Sequence, residues 1–535
     1  MKADCLSFSS IPNIPPLFLD FLHNYEKVRE FYARPPAFAE WWKDELQHLR
    51  YPQARRQQVA DILVRQNRSF GSGARTFENI ERLKNGAPAI VTGQQVALFG
   101  GPMFVVMKGL TAALLAEKAG AVPIFWLATE DHDLAEVNFV HTPAGDHLET
   151  FSTTPPHQEH APVGTIGFKQ EISDLLQKIE QQFGSSEMLN LLRASYRPGE
   201  TFGTAFARFY AQVFAQLGVV LLDPSDPELH LISSPVYRDA LDQSGAIYED
   251  LLERQEQLER AGYEPQVKVT AAHTLCFYFE GGARLPVRHD PDGLGHGFVI
   301  GDQKFTPEAL VKEVQENPQR FSPNVLLRPV IQDYLLPTLC YVGGPSEVSY
   351  FAQAQVVYKR LLDRVTPIVA RLSTTVLEPR VVKLLERYQL ALSDIFRGPE
   401  KVREYAAEKA LPESIMKSFD VATERLEQAI TAINDPLGKL DPTLLDAAQN
   451  AAAKMRYQLQ NLREKAARAE ARKDTELQRH MDELSTLLYP NKSLQEREVG
   501  SVYFLLKYGT GLLHQLREKL QLSCLDHQIV QLEKS

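Results

Sequence analysis

Two short stretches of this chain carry residue types that do chemistry. The first is Thr92-Gly93-Gln94-Gln95 with Gly100-Gly101-Pro102, ahead of a helical pattern that holds Lys108. Glycines permit a tight turn and close backbone approach, and a helix start offers N–H groups to an anion. The second is Glu130-Asp131-His132-Asp133. Three acids and a histidine in four positions repel or pair, so the cluster must be neutralised, protonated or put to use. His132 or Asp131 is the candidate base, with Asp133 beside them, and helix capping is the alternative reading. A third group is Arg328, Gln332-Asp333 and Tyr341-Val342-Gly343-Gly344-Pro345-Ser346-Glu347. Arg328 is a natural fork for a carboxylate or phosphate, with Asp333 to orient it. A buried structural Arg–Asp pair is the alternative there. Cys340 reads as an inert core thiol.

These groups need rigid elements behind them. Pro88–Val91 and Val122–Ala128 are short apolar runs, each of which runs into polar residues, as buried parallel strands do. With a helix over 103–119, closed by Gly120, they form a strand–helix–strand unit. The double-glycine, proline, helix design recurs at 341–345. Strands are also expected at 219–223, 340–342 and 368–370. Open α/β sheets place ligands at the carboxyl ends of such strands. Thr92, Glu130 and the 341–343 segment should therefore meet in one cleft.

The 535 residues exceed one ordinary core and suggest about three domains of ~150 residues. A net charge of −10 argues against a nucleic-acid surface. The 4 cysteines include no CxxC pair. That argues against a disulfide framework or a cysteine-rich metal site, and suits a reducing cytoplasm. No distant histidine cluster completes a metal shell. No apolar run reaches the ~18 residues that span a bilayer, and no signal-peptide core is visible.

Residues 17–84 read as helices. Segment 142–200 looks like an insertion, and 264–305 looks antiparallel about Gly281-Gly282. A helix over 202–217 and another over 235–260 fall between. From 381 to 490 the chain is helical. Leu445, Ala448, Ala452, Met455, Leu459, Leu462, Ala466 and Ala469 form a heptad seam, which resumes after a shift at Leu477, Met481, Leu484 and Leu488. Asn434–Gly438 reads as the breaker between two antiparallel helices. An isolated hairpin leaves one apolar face uncovered, so a homodimer is expected. A last helix is expected over 499–520.

Three long motifs carry a resemblance: VTGQQVALFGGPMFVVMKG at 91–109, PIFWLATEDHDLAEVNFV at 123–140 and PNVLLRPVIQDYLLPTLCYVGGPSEVSYFAQ at 323–353. The chain resembles, over essentially its whole length, the cysteine-adding enzymes of bacillithiol biosynthesis, the BshC family. The resemblance implies an α/β fold: a Rossmann-like parallel-sheet core with two connecting insertions, plus a C-terminal α-helical coiled-coil domain for homodimerisation. The segments are then 1–85 (N-terminal, helical), core parts 86–141, 201–234 and 323–380, insertions 142–200 and 235–322, coiled coil 381–498, and a C-terminal helix 499–535. The implied activity is amide formation between cysteine and glucosaminyl-malate, in the cytoplasm, with association to ATP or ADP. The related class I synthetase motifs HxGH and KMSKS are absent, so adenylate chemistry does not follow. On this reading the catalytic candidates are His132, Asp131 and Asp133. The substrate- and anion-binding candidates are Thr92, Gly93, Gln94, Gln95, Gly100, Gly101, Lys108, Glu130, Arg328, Asp333, Gly343 and Gly344. No metal ligand is assigned, and neither nucleic acid nor membrane is a partner. The alternative is a non-catalytic coiled-coil dimer that binds a nucleotide or thiol metabolite through its core.

Overall fold

The structure, a computed structural model, describes residues 3–290, 297–403, 411–471 and 475–533. Parts of two expected stretches, 291–296 of the antiparallel segment and 404–410 and 472–474 of the helical one, lie outside the described residues. Apolar runs of the expected lengths become the five strands of a parallel sheet. Their order is Ile368–Ala370, Thr338–Gly343, Ala89–Gln95, Val122–Ala128, Val220–Leu222, and every neighbouring pair is parallel. From Ala89–Gln95 the chain builds outward to one side, then returns to add Thr338–Gly343 on the other. The order reverses between those two strands, which is where open α/β sheets leave a crevice. Helix Met103–Ala119 packs on the sheet and ends at Gly120, whose φ of 65° suits a left-handed cap. Pro102 is its N-cap rather than its first helical residue.

The first insertion begins with the hairpin Phe139–Ala144 and His147–Ser152. The second is a five-stranded antiparallel sheet that includes His273–Glu280 and Ala283–His289, joined at Gly281-Gly282. The helix expected from 235 instead starts at Pro227 and carries Pro235 inside it, followed by a second helix Ser244–Arg260. Asp226 caps its start by accepting from the Glu228 N–H, so the proline does not set the boundary.

The arm consists of helices Glu413–Leu440 and Leu444–Ala471. Arg456–Glu427 and Arg463–Asp420 ion pairs fix their antiparallel alignment. The expected breaker at 434–438 is wrong: the first helix runs through Pro436 to Leu440. The turn is Asp441–Thr443, where the Asp441 carboxylate accepts from the Thr443 N–H and hydroxyl. The resumed seam is buried in helix Thr475–Leu488, on the main body. The last segment is two helices, Ser501–Tyr508 and Gly511–Lys519, and a strand, His527–Gln531.

That strand lies between Asp4–Leu6 and Ser373–Leu377 in a small sheet that joins the two ends of the chain. Cys5 and Cys524 are disulfide-bonded there. The scattered cysteines argue against a disulfide framework, and this one bridge departs from that reading. A separation of 519 residues hides the pairing, and the sheet brings the two Cα atoms to 6.5 Å. Cys276 and Cys340 are free and buried. No helix among the described residues is long and apolar enough to cross a membrane.

One ion pair ties the small sheet, the helical domain and the core together. Both Nη atoms of Arg371, one residue past the last core strand, donate to the Glu496 carboxylate at 2.9 and 2.7 Å. The Ser373 hydroxyl and Thr374 N–H donate to the same carboxylate. Both charged side chains are nearly fully buried. Glu496→Ala should therefore lower unfolding free energy by about 3–5 kcal/mol, since it strands a buried guanidinium. Urea unfolding measures this, and a loss under about 1 kcal/mol would show that the pair is not an anchor.

Candidate functional site

A cavity of about 1040 Å³ opens at the carboxyl ends of the core strands. Gly93, Gln94 and Gln95, Glu130, Asp131 and His132, and Gly344 and Glu347 all line it. Of the residues expected to meet there, Glu130 lines it, whereas Thr92 and 341–343 stop short and their neighbours Gly93 and Gly344 take their places. Lys108 and Arg328 line it too. Thr92, Gly100, Gly101, Asp133, Asp333 and Gly343 do not.

The residues outside the cavity hold its frame. Thr92 is buried and its hydroxyl donates to the Val342 carbonyl, across to the neighbouring strand. Gly100 and Gly101 take φ of 84° and 69° in a buried turn, and the Gly100 N–H donates to Tyr196 Oη. Asp333 does not orient Arg328. It accepts from Tyr358 Oη and Gln332 Nε2 in the core. Arg328 instead donates to Tyr350 Oη, with Tyr341 Oη beside it. A Cβ at Gly343 would lie 2.9 Å from both Glu347 Cβ and Ile368 Cδ1, so the strand end admits no side chain there.

Two halves of the site differ in charge. At the sheet's switch point, Lys108 meets Glu347 at 2.6 Å. Lys108 Nζ also donates to the Gly93 carbonyl and Gln94 Oε1, both at 2.8 Å. Its three donors are all taken. Burial pushes this ammonium down to about 8, against the pull of Glu347. Burial alone would raise Glu347, but Lys108 and the Gly344 N–H outweigh it and hold the carboxyl below its usual range. Glu347 also accepts from Tyr341 Oη at 2.6 Å. Arg371 and Arg497 complete this cationic half.

The other half carries the acid–histidine cluster. Glu130 is 7 % exposed, and its Oε1 lies 3.3 Å from His230 Nε2. Among the described residues neither Glu130 Oε1 nor His230 Nδ1 has a side-chain hydrogen-bond partner. Burial, reinforced by Asp223, lifts the Glu130 carboxyl to about 8. Burial drops His230 to about 4. Both are therefore neutral at pH 7. His132 Nδ1 lies 3.2 Å from Arg284 Nη1. A guanidinium only donates, so this contact makes Nδ1 an acceptor and leaves the proton of the neutral ring on Nε2. Burial and then the Arg284 charge hold His132 below its ordinary value. Asp131 is partly a cap: its carboxylate accepts from the His132 N–H at 2.7 Å and from Gln95 Nε2 at 2.8 Å. Among the described residues no group of three metal-ligating side chains forms.

Sequence reasoning missed Arg284, His230, Arg371 and Arg497. Arg371 follows Ile368–Ala370 directly, so the strand-end rule that singled out Glu130 would have found it. Arg284 comes from the second insertion and His230 from a helix interior, where no local pattern marks them.

Residues 1–372 match the family model described as the bacillithiol biosynthesis BshC N-terminal Rossmann-like domain. Residues 374–532 match the BshC C-terminal coiled-coil domain. Among curated proteins, three named "Putative cysteine ligase BshC" are similar along nearly their whole length. The one from Koribacter versatilis is 42% identical, covering 99% of this chain and 100% of the relative. The one from Solibacter usitatus is 33% identical, with the same shares covered. The one from Salinibacter ruber is 30% identical, covering 96% of each. With both halves matched in order and relatives aligned end to end, the chain belongs to the BshC family of bacillithiol biosynthesis.

Proposed function

We propose that this chain joins cysteine to glucosaminyl-malate through an amide bond, inside the cavity at the strand ends. The observation that carries this reading is the cavity's polarity. One half gathers Lys108, Arg328, Arg371 and Arg497, which suits the acidic malate part. The other holds Glu130, Asp131 and His132, which suits an amine that must lose a proton. The glucosamine nitrogen attacks an activated cysteine carboxyl carbon. The C–N bond forms, the bond to the activating group breaks, and the ammonium proton moves to a carboxylate. Asp131, which lines the cavity, fits that task, since Glu130 already holds a proton near neutrality. His132, with its proton on Nε2, fits as donor to the developing oxyanion. Asp131 orders the loop that carries it. The activating group on this reading is a nucleoside triphosphate, whose phosphate the cationic half would also accept. The reaction is expected in the cytoplasm.

The arm fits a second copy of the chain. Val421, Ile433, Leu440, Met455, Tyr457 and Leu462 are exposed along it, more apolar surface than a solvated hairpin needs. Met455 and Leu462 share a face at i, i+7. The Met455→Asp/Leu462→Asp double variant should halve the sedimenting mass, because it puts charges into the seam. Sedimentation at unchanged mass would reject a dimer through this face.

Proton counts give a stability test. Unfolded, Glu130 titrates near 4.5 and His230 and His527 near 6.5; folded, near 8, 4 and 4. Between about pH 4.5 and 6.5 the unfolded chain gains protons at two histidines, while the folded chain keeps one more at Glu130. These groups then make stability rise with pH. Above 6.5 Glu130 and Lys108 remain, with opposite signs: folded Glu130 holds the extra proton and its contribution is lost as pH rises through about 8, while Lys108, near 8 folded and 10.5 unfolded, makes stability rise. Glu130→Gln should therefore make the change of urea midpoint between pH 6.5 and 8 more positive. An unaltered slope would show Glu130 ionised in the fold.

Thiol profiling of a deletion strain tests the reaction itself: glucosaminyl-malate should accumulate and the cysteine adduct vanish. With purified enzyme, His132→Ala should lower kcat by about 10²-fold or more at unchanged melting temperature. Arg328→Ala should mainly raise KM for the acidic substrate. Normal thiol levels from both variants would overturn the site.

A further inference from the structure

We infer that Arg497, supplied by the segment that returns from the helical arm, binds an anionic group of the substrate at the cationic end of the cavity. The inference deepens the proposed reaction and rests on its acidic acceptor.

The cations at that end are unequal. Lys108 has spent all three donors on Gly93, Gln94 and Glu347. Both Nη atoms of Arg371 are taken by Glu496. The Arg497 side chain lines the same cavity and makes no hydrogen bond or ion pair among the described residues. Its nearest charges include Arg371, a like charge, beside Glu496 and Glu498. Glu496 is committed to Arg371, and Glu498 accepts from Asn491. Of the four cations Lys108, Arg328, Arg371 and Arg497, Arg328 donates to the Tyr350 and Tyr341 hydroxyls, and only Arg497 keeps all five donors without a partner among the described residues. Arg497 is exposed, so an anion that enters the cavity can reach its guanidinium without displacing a protein partner.

The position is fixed rather than incidental. Gln495 is fully buried and bonds both the N–H and the carbonyl of Val376. Glu496 is locked by four donors. Just beyond, the Val499 carbonyl accepts from the Met103 N–H, and the Gly500 and Ser501 N–H groups donate to His141 and Gly101. Arg497 therefore stands between two backbone clamps, one on the small sheet and one on the loop that follows the first core strand. A guanidinium held in this way matches a carboxylate or a phosphate, the two anions it binds as a fork.

Calorimetric titration of the full-length protein tests this with two probes, L-malate and inorganic phosphate, for wild type, Arg497→Gln and Arg497→Lys. We expect Arg497→Gln to weaken one probe by about 10- to 100-fold. Arg497→Lys should keep part of the affinity, and the melting temperature should not fall, since no protein contact is lost. Weakening confined to malate assigns the subsite to the acceptor's carboxylates; weakening confined to phosphate assigns it to the activating group. Equal affinity in wild type and Arg497→Gln, or no binding of either probe to wild type, overturns the inference. A separate titration with glucosaminyl-malate isolates the proposed reaction. If malate binding responds to Arg497 while glucosaminyl-malate is neither bound nor consumed, the acceptor assignment falls and the anion subsite stands.

Discussion

Glu496 receives four hydrogen bonds with almost no exposure to water, and the rest of the molecule is arranged around keeping it satisfied. Taking a carboxylate and a guanidinium out of water costs several kcal/mol per ion, which only close geometry returns. The partners come from three places: Arg371 from the end of the core sheet, Ser373 and Thr374 from the small sheet, and Glu496 from the chain leaving the arm. None of the three can shift without stranding a charge. The same carboxylate reaches His527 through the Ser373 hydroxyl, and burial keeps that imidazole neutral. The cavity wall inherits this rigidity, because Arg371 is part of it.

A parallel arrangement sits at the switch point. Two units of the same design, strand then glycine turn then proline then helix, lie side by side and face each other through Lys108 and Glu347. Glu347 serves twice, as the cap of its own helix through the Gly344 N–H and as the counter-ion of its neighbour's lysine. The two helices are thereby locked in register at the point where the sheet opens. The cations left with free donors are those at the rim, and the chemistry gathers there.

The periodic parts of this fold were legible in the sequence. Apolar runs of three to seven residues marked the core strands, because burial on both faces leaves few alternatives. The strand-end rule found Glu130, His132 and Gly344. The heptad seam found the arm, yet Asn434–Gly438 misled. A proline near the last turn of a helix at the arm's tip costs little enough to be tolerated when Asp441 offers a better turn five residues on. Asp333 misled for another reason. Its nearness to Arg328 in sequence suggested a pair, but five residues along a helix separates the two faces, and Tyr358 claims the carboxylate. What stayed hidden were contacts between distant segments: Arg284 with His132, Glu130 with His230, Arg371 with Glu496, Cys5 with Cys524. Local pattern holds no trace of such partners.

The helical domain that carries the arm leaves the small sheet after Ser373–Leu377 and comes back at Gln495, whose side chain pairs with the Val376 backbone. More than a hundred residues thus depart and return through one doorway. Closing a longer excursion adds entropy cost only logarithmically. Adding one heptad to each helix would carry the tip outward by about 10 Å while the doorway stayed shut. Reach and chemistry are therefore separable traits in this architecture. A change in the arm's length would leave the residues on either side of the doorway where they are.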